Sequence, residues 1–153
     1  MANPRKQCAF CDRPANSKEH IWADWLKPFI PRIGSRTQHS TSHRTLNVNS
    51  GEMRTHASEG LLNRPGDPLS QRIRVVCRDC NTGWMSRLQT KSKPVLLPFI
   101  RGEWPQLDED SQCIIAAWAT MFTMVVEHAD RSTMVVKKSQ RVEFKRTKEP
   151  PEQ

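Results

Sequence analysis

The chain has 153 residues, 36% of them hydrophobic, and its 24 Lys and Arg against 16 Asp and Glu give a formal net charge of +8. This length suits one domain, or one small module with an attached layer, and a modest core. Residues 1–20 lack the apolar segment of a secretion signal, and the longest apolar stretch, Cys113 to Val126, is too short to span a bilayer. We therefore expect a cytoplasmic protein with no membrane partner, and the basic charge favours a nucleic-acid partner.

The N-terminal part of the chain predicts a metal knuckle, a short helix and a long loop. Cys8 and Cys11 are separated by two residues, as in a knuckle that binds metal. From Ile21 to Phe29 the apolar residues recur at helical spacing and predict one face of a short helix. Residues 31–70 are rich in Ser, Thr, Arg and His, and they predict a basic loop that is either structureless or contains short strands.

The middle of the chain predicts a strand, a second knuckle and a second helix. The segment Ile73 to Cys77 alternates and then runs apolar, as a short strand would. A second pair, Cys77–Cys80, follows at the same spacing as the first. Asn81 or Thr82 is the predicted N-cap of the next helix, which Pro94 would end.

The strongest helix signal lies at residues 110–128, where large apolar residues repeat at intervals of three and four. Cys113 lies on this helix and is predicted to be a small buried hydrophobic residue. Met134 to Phe144 predict a weak basic hairpin, and the tail from Lys145 is polar. Four tryptophans are expected in the core rather than on a base-stacking surface: Trp22, Trp25, Trp84 and Trp118.

The two cysteine pairs together predict a structural zinc site. Zinc takes four thiolates tetrahedrally, and a two-residue spacer lets both sulfurs of one pair reach the same ion. In a reducing compartment such pairs bind metal more often than they form disulfides. Redox pairs are the alternative, but no thioredoxin-like βαβ pattern surrounds either pair. The predicted zinc ligands are Cys8, Cys11, Cys77 and Cys80.

The order of these motifs resembles the zinc-bearing branch of the HNH, or ββα-metal, endonucleases. Glu19 and His20 lie between the two pairs, and Asn81 directly follows the second pair. Recombination endonuclease VII-type resolvases are one example of this branch. Small phage and bacterial HNH proteins are closer, through Lys18-Glu-His-Ile-Trp and Cys80-Asn-Thr-Gly-Trp-Met. The resemblance covers most of residues 8–90, and the predicted helix at 110–128 resembles that group more weakly.

The resemblance implies a metal-dependent nuclease that hydrolyses DNA phosphodiester bonds. His20 would be the general base, and Glu19 and Asn81 would bind a catalytic Mg²⁺ or Mn²⁺ ion through oxygen atoms. The chain departs from the family pattern twice. Glu19 stands where Asp is usual, and the family's middle Asn is missing before the second cysteine pair, so that Gln71 or Asn63 would have to replace it.

Basic residues around these motifs are predicted to contact a phosphate backbone, and double-stranded DNA is the first expectation. Such contacts give affinity that depends on salt and tolerates changes of sequence. A solvated basic face is the alternative, and either DNA or RNA would satisfy the contacts. The predicted residues are Lys27, Arg32, Arg36, Arg44, Arg74, Arg78 and Arg87, with Arg54 and Arg72 beside them.

The predicted fold class is α+β. Residues 1–93 would form a four-cysteine, zinc-stapled ββα-metal module that includes the basic loop, and residues 94–153 a helical extension with a short hairpin and a polar tail. Family analogy suggests a homodimer, and a protein partner is left open. The alternatives to a nuclease are a non-catalytic zinc module that binds nucleic acid and a protein-interaction or inhibitor protein on a degenerate HNH fold.

Overall fold

The computed structural model describes residues 6–30, 42–57, 68–129 and 134–151. These residues form four strands and three long helices, which confirms the α+β class. No helix within the described ranges combines the length and the apolar character needed to cross a membrane. The elements are β1 (Ser17–His20), β2 (Ser42–Leu46), β3 (Met53–Ala57), β4 (Arg72–Val76), α1 (Ser86–Ile100), α2 (Glu109–Val126) and α3 (Lys138–Thr147).

Strands β1 and β4 form an antiparallel pair that leads directly into a helical segment. Glu19 lies opposite Ile73 and His20 opposite Arg72, with an irregularity in the register after Ser17. An α-helical turn at Arg78–Cys80 and a π-helical turn at 81–85 then connect β4 to α1. The start of this helical segment therefore lies beside the strand that carries Glu19 and His20.

The long loop contains a second antiparallel pair, β2 with β3, so the alternative with short strands is confirmed at residues 42–57. The connecting turn is closed by hydrogen bonds from Asn47 N to Glu52 O (2.9 Å) and from Gly51 N to Asn47 O (2.8 Å). Gly51 adopts φ 69°, a conformation that glycine accepts without strain. The remainder of the loop, 31–41 and 58–67, lies outside the described residues.

The prediction that Pro94 ends the second helix was wrong, because α1 continues through Pro94 and Pro98 to Ile100. Pro94 is exposed to solvent, so water can reach the carbonyl that the missing proline N–H leaves unbonded. The helix ends beyond Ile100, where Gly102 N donates to Phe99 O (3.0 Å) and Gly102 adopts φ 82°.

The strongest helix prediction is confirmed by α2, which is N-capped by Asp108 through a bond from Ser111 N to Asp108 Oδ1 (2.8 Å). The first predicted helix is reduced to a 3₁₀ turn at Asp24–Leu26. Its bonds span three residues, as in Leu26 N to Ala23 O (2.9 Å). Pro28 has no N–H with which to continue an α-helical ladder, which explains why the segment stays short.

The basic hairpin predicted at 134–144 was also wrong, because residues 138–147 form helix α3. Lys137 N donates to Gln140 Oε1 (2.9 Å) at its start, and Lys148 ends it in the left-handed conformation. Arg141 and Phe144, three positions apart, are both almost fully buried against the core. The pattern of apolar residues does not reveal this helical spacing, because one of the two buried residues, Arg141, is charged.

One hydrophobic core includes residues from both predicted segments, among them Phe10, Met85, Met121 and Phe144. Helix α1 also runs across the predicted boundary at 93/94. The four tryptophans expected in the core differ in burial. Trp84 is buried, Trp25 and Trp118 are half-buried and Trp22 is 39% exposed. Cys113 is exposed, contrary to prediction, because it lies on the solvent side of α2.

Candidate functional site

The four cysteines of the two pairs converge, so that their sulfur atoms lie within 4.8 Å of one another. Cys11 Sγ is 3.6 Å from Cys77 Sγ and 3.8 Å from Cys80 Sγ. Four thiolates around a zinc ion, with Zn–S bonds of about 2.3 Å, would have their sulfurs about 3.8 Å apart. The donor set therefore fits one ion, and Cys8, Cys11, Cys77 and Cys80 could hold a metal such as zinc.

Each cysteine pair is folded as a tight turn whose backbone amide faces its first sulfur. Phe10 N donates to Cys8 Sγ, and Cys80 N donates to Cys77 Sγ, both at 3.4 Å. Ala9 N also donates to Val75 O (2.8 Å), which attaches the first turn to strand β4. The amides favour negatively charged sulfur, the form that binds metal.

The thiols differ in acidity because they differ in burial and hydrogen bonding. Burial raises the pKa of Cys80 to about 12 and also raises that of Cys8. Burial acts in the same direction on Cys11, but hydrogen bonds from the Arg13 backbone and from Cys77 and Cys8 outweigh it and lower its pKa to about 6. A bound cation would hold all four sulfurs as thiolates, so metal binding releases protons.

Helix α3 covers the first knuckle. Lys138 Nζ donates to the carbonyl oxygens of Cys8 and Cys11, the latter at 2.7 Å. An exposed ion pair between Arg13 and Asp79 joins the two knuckles. The sequence predicts both knuckles but gives no signal for Lys138, which connects the first knuckle to the C-terminal helix.

Glu19 is buried at the end of β1, with only 9% of its surface exposed. Burial raises the pKa of its carboxyl group to about 7. An acid in this position is destabilising as a carboxylate unless a positive charge accompanies it. Residues with such perturbed acidity are concentrated at functional sites.

His20 follows Glu19 and is half-buried on the other face of the strand, because successive side chains alternate. Burial and the positive charges of Arg72 and Lys27 lower its pKa, against the opposing effects of Asp24 and the Leu69 backbone. His20 Nε2 lies 3.6 Å from Asp24 Oδ1. Asp24 was missed from the sequence, although its spacing of four from His20 was the available signal.

Asn81 is attached to β1 by its side chain. Its Nδ2 donates to Ser17 Oγ (2.8 Å) and to Lys18 O (3.2 Å), the two residues that precede Glu19. The prediction that Asn81 or Thr82 is the N-cap was wrong, since Cys77 caps the helical turn through its sulfur and Asn81 is already helical. The structure therefore brings Asn81 to the strand of Glu19 and His20 through these two hydrogen bonds.

The predicted replacements for the family's middle Asn have different outcomes. Gln71 is half-buried next to β4, and its backbone carbonyl accepts a hydrogen bond from Ile21 N (3.0 Å) just beyond His20. Asn63 lies outside the described residues. The contact with Gln71 is made by the backbone, so it fixes the end of β1 without depending on the glutamine side chain.

The predicted basic residues are spread over several elements. Arg44, on β2, and Arg74, on β4, are exposed, as are Arg78 and Arg87 in the helical segment. Lys27 is half-buried and forms an ion pair with Asp24 beside His20. Arg32 and Arg36 lie outside the described residues. Arg72 is exposed opposite His20, which places a positive charge at the candidate site.

Comparison with known proteins adds no relative. No protein-family model, no curated protein and no solved structure matches the chain.

Proposed function

We propose that this protein is a zinc-bound, metal-dependent endonuclease of the HNH type, which hydrolyses phosphodiester bonds in DNA. The observation that carries the proposal is that one short strand, β1, carries Glu19 and His20 and also accepts both hydrogen bonds of the Asn81 side chain. Glu19 and His20 end β1, β1 pairs with β4, and the helical segment after β4 returns Asn81 to β1. The four-cysteine cluster lies in the turns that precede β1 and follow β4, at the end where Ser17 pairs with Val76.

Glu19 supports the proposal through its burial. The carboxyl group has a pKa of about 7, so at neutral pH it can become a carboxylate when a cation is bound. A carboxylate and an amide oxygen are ligands that Mg²⁺ or Mn²⁺ accepts, with water in the other positions. Glu19 would hold such an ion with Asn81, whose amide nitrogen faces β1. The ion supplies charge stabilisation for the scissile phosphate and the leaving oxygen.

His20 supports the proposal through its protonation state. Its lowered pKa keeps the imidazole neutral at pH 7, the form that can accept a proton from water. Asp24, next to Nε2, stabilises the imidazolium that forms when the proton is taken. Arg72, opposite His20, supplies a positive charge for a phosphate at the same place.

The zinc ion has a structural role in this proposal. Its four ligands come from the turns that precede β1 and follow β4, so the ion would fix the two strands against each other. Structural zinc supplies folding free energy directly in small domains. The zinc ion would therefore be required for folding and the catalytic cation for cleavage, and the two requirements can be measured separately.

Plasmid nicking tests the proposal. Zinc-loaded wild type, His20→Ala and Glu19→Gln would be incubated with supercoiled plasmid in Mg²⁺, Mn²⁺ or EDTA, with zinc content measured for each. Glu103→Gln, at an exposed glutamate in the segment after α1, is the matched control for Glu19→Gln. We expect nicking that requires Mg²⁺ or Mn²⁺, persists in the control and is lost in both site variants with zinc retained. Nicking that survives in His20→Ala would remove His20 from the mechanism.

A second candidate is a non-catalytic zinc module that binds nucleic acid. The observation in its favour is that two hydrogen bonds to β1 already give Asn81 a structural role without any catalytic ion. The same samples distinguish the two functions. Retention of the plasmid in a gel shift, without nicking in Mg²⁺ or Mn²⁺, would replace the nuclease by this binding module.

A further inference from the structure

A cavity of about 370 Å³ lies between the N-terminal segment, strand β4 and the turn after α2. It is separate from the cysteine cluster and from the residues proposed for catalysis. Among the described residues that line it, two are cationic, one is a histidine and none is acidic. The lining residues are Lys6, Gln7, Arg74, Val75, His128 and Met134.

His128 forms part of the cavity wall and carries a buried nitrogen without a hydrogen-bond partner among the described residues. The residue lies in the turn that ends α2, where its backbone N donates to Val125 O (3.1 Å). Its Nε2 is shielded from solvent and makes no hydrogen bond within the part of the chain that the structure describes. The imidazole as a whole is half-buried, so it forms part of the cavity wall while this nitrogen faces the protein interior.

The charges around His128 are mostly positive. Burial lowers the pKa of His128 to about 4, and the positive charges of Arg141, Lys138 and Lys6 act in the same direction against Glu127. Glu127 is already engaged, because its carboxylate pairs with Arg141 and accepts a hydrogen bond from Val135 N (3.2 Å). Arg141 and Glu127 therefore balance each other, which leaves Lys6 and Lys138 as the positive charges near His128, and the cavity favours an anion.

We propose that this cavity is a subsite for a phosphate group. Arg74 and Lys6 supply the positive charge, and the His128 imidazole forms part of the cavity wall beside them. Arg is well suited to this contact because its guanidinium can donate two parallel hydrogen bonds to an oxyanion. The cavity also has room for more than the phosphate group itself, so an attached sugar can enter with it.

The position of Arg74 connects the cavity to the candidate nuclease site, and this step rests on the proposed function. Arg72 and Arg74 lie on the same, exposed face of β4, roughly 6.6 Å apart along the strand. Arg72 lies opposite His20. A polynucleotide that follows β4 would therefore place one phosphate at His20 and a flanking phosphate in the cavity. The subsite would hold the backbone in register for cleavage.

Calorimetric titration tests the subsite without any cleavage assay. Zinc-loaded protein carrying His20→Ala would be titrated with inorganic phosphate, a 5′-mononucleotide and a short oligonucleotide without terminal phosphates, at one fixed salt concentration. Arg74→Gln and His128→Gln would be added in turn. Lys93→Gln, an exposed cation on α1 outside the cavity, controls for the loss of one charge. Because Arg74 is exposed, its variant should fold even if the His128 variant does not.

We expect Arg74→Gln to weaken phosphate binding about tenfold and Lys93→Gln to change it less than about twofold. If Arg74→Gln weakens binding of the oligonucleotide, the ligand is a backbone phosphate. If it weakens binding of the mononucleotide alone, the ligand is a terminal phosphate. Absence of phosphate binding, or equal loss in Arg74→Gln and Lys93→Gln, overturns the proposal. Phosphate binding without plasmid nicking by wild type would refute the nuclease alone, and nicking without phosphate binding would refute the subsite alone.

Discussion

Replacement of Glu19 by Gln tests whether the ionised carboxylate of this buried residue destabilises the folded protein. Burial raises the pKa of Glu19 from 4.5 to about 7, so the unfolded chain ionises at a lower pH than the folded protein. Stability is therefore lost as the pH rises from 4.5 to about 7, and the loss is complete above that range. Gln keeps the shape and removes the charge, so Glu19→Gln should be more stable than wild type at neutral and alkaline pH.

The size of the effect follows from the shift in pKa. One pKa unit corresponds to about 1.4 kcal/mol, so the full shift is at most about 3 kcal/mol in the free energy of unfolding. The advantage of Glu19→Gln should grow from about 1.5 kcal/mol near pH ~5.5 to about 3 kcal/mol near pH ~8.5. If Glu19 binds the catalytic cation, Mg²⁺ at about ten times its Kd should return about 1.4 kcal/mol to wild type only.

Urea denaturation followed by tryptophan fluorescence measures both effects. Zinc-loaded wild type, Glu19→Gln and the exposed control Glu103→Gln would be compared at three pH values, with and without Mg²⁺. The control should follow wild type throughout. The reasoning about Glu19 fails if Glu19→Gln and wild type show the same dependence on pH. The assignment of Glu19 as a cation ligand fails if Mg²⁺ stabilises both proteins equally.

Three further predictions concern the metal, the buried ion pair and Asn81. Elemental analysis should find one bound zinc ion per chain, and Cys11→Ser or a strong chelator should unfold the protein, seen as loss of helical circular dichroism; a folded zinc-free protein would contradict this. Arg141→Met should lower the free energy of unfolding by about 3–5 kcal/mol, because it leaves the Glu127 carboxylate buried and unpaired. The double variant Glu127→Gln/Arg141→Met should be more stable than Arg141→Met. Equal urea midpoints for these two variants would count against the pairing of Glu127 with Arg141. Asn81→Ala should cost about 1–2 kcal/mol and be less than additive with Ser17→Ala, whereas additive losses would mean that the two side chains act independently.

The sequence determined the features that depend on local spacing. Each of the two cysteine pairs has two residues between its members, and this spacing predicted that all four would form one cluster. The four sulfurs do lie together. Apolar residues repeating at three and four predicted α2, whose bounds differ from the prediction by one or two residues. The roles predicted for Glu19, His20 and Asn81 remain predictions, but their convergence on β1 follows from chain order once β1 pairs with β4.

Only the tertiary structure decided the features that depend on distant partners. Residues 138–147 are helical rather than a hairpin, and Arg141 on this helix is buried because Glu127, which caps the end of α2, pairs with it. Similarly, Pro94 is tolerated within α1 because it faces solvent. The acidity of Glu19 is also a tertiary property, since the sequence specifies a carboxyl group and the packing around β1 sets its desolvation. Spacing along the chain fixes which residues share an element, whereas burial and charge compensation arise only when the elements pack together.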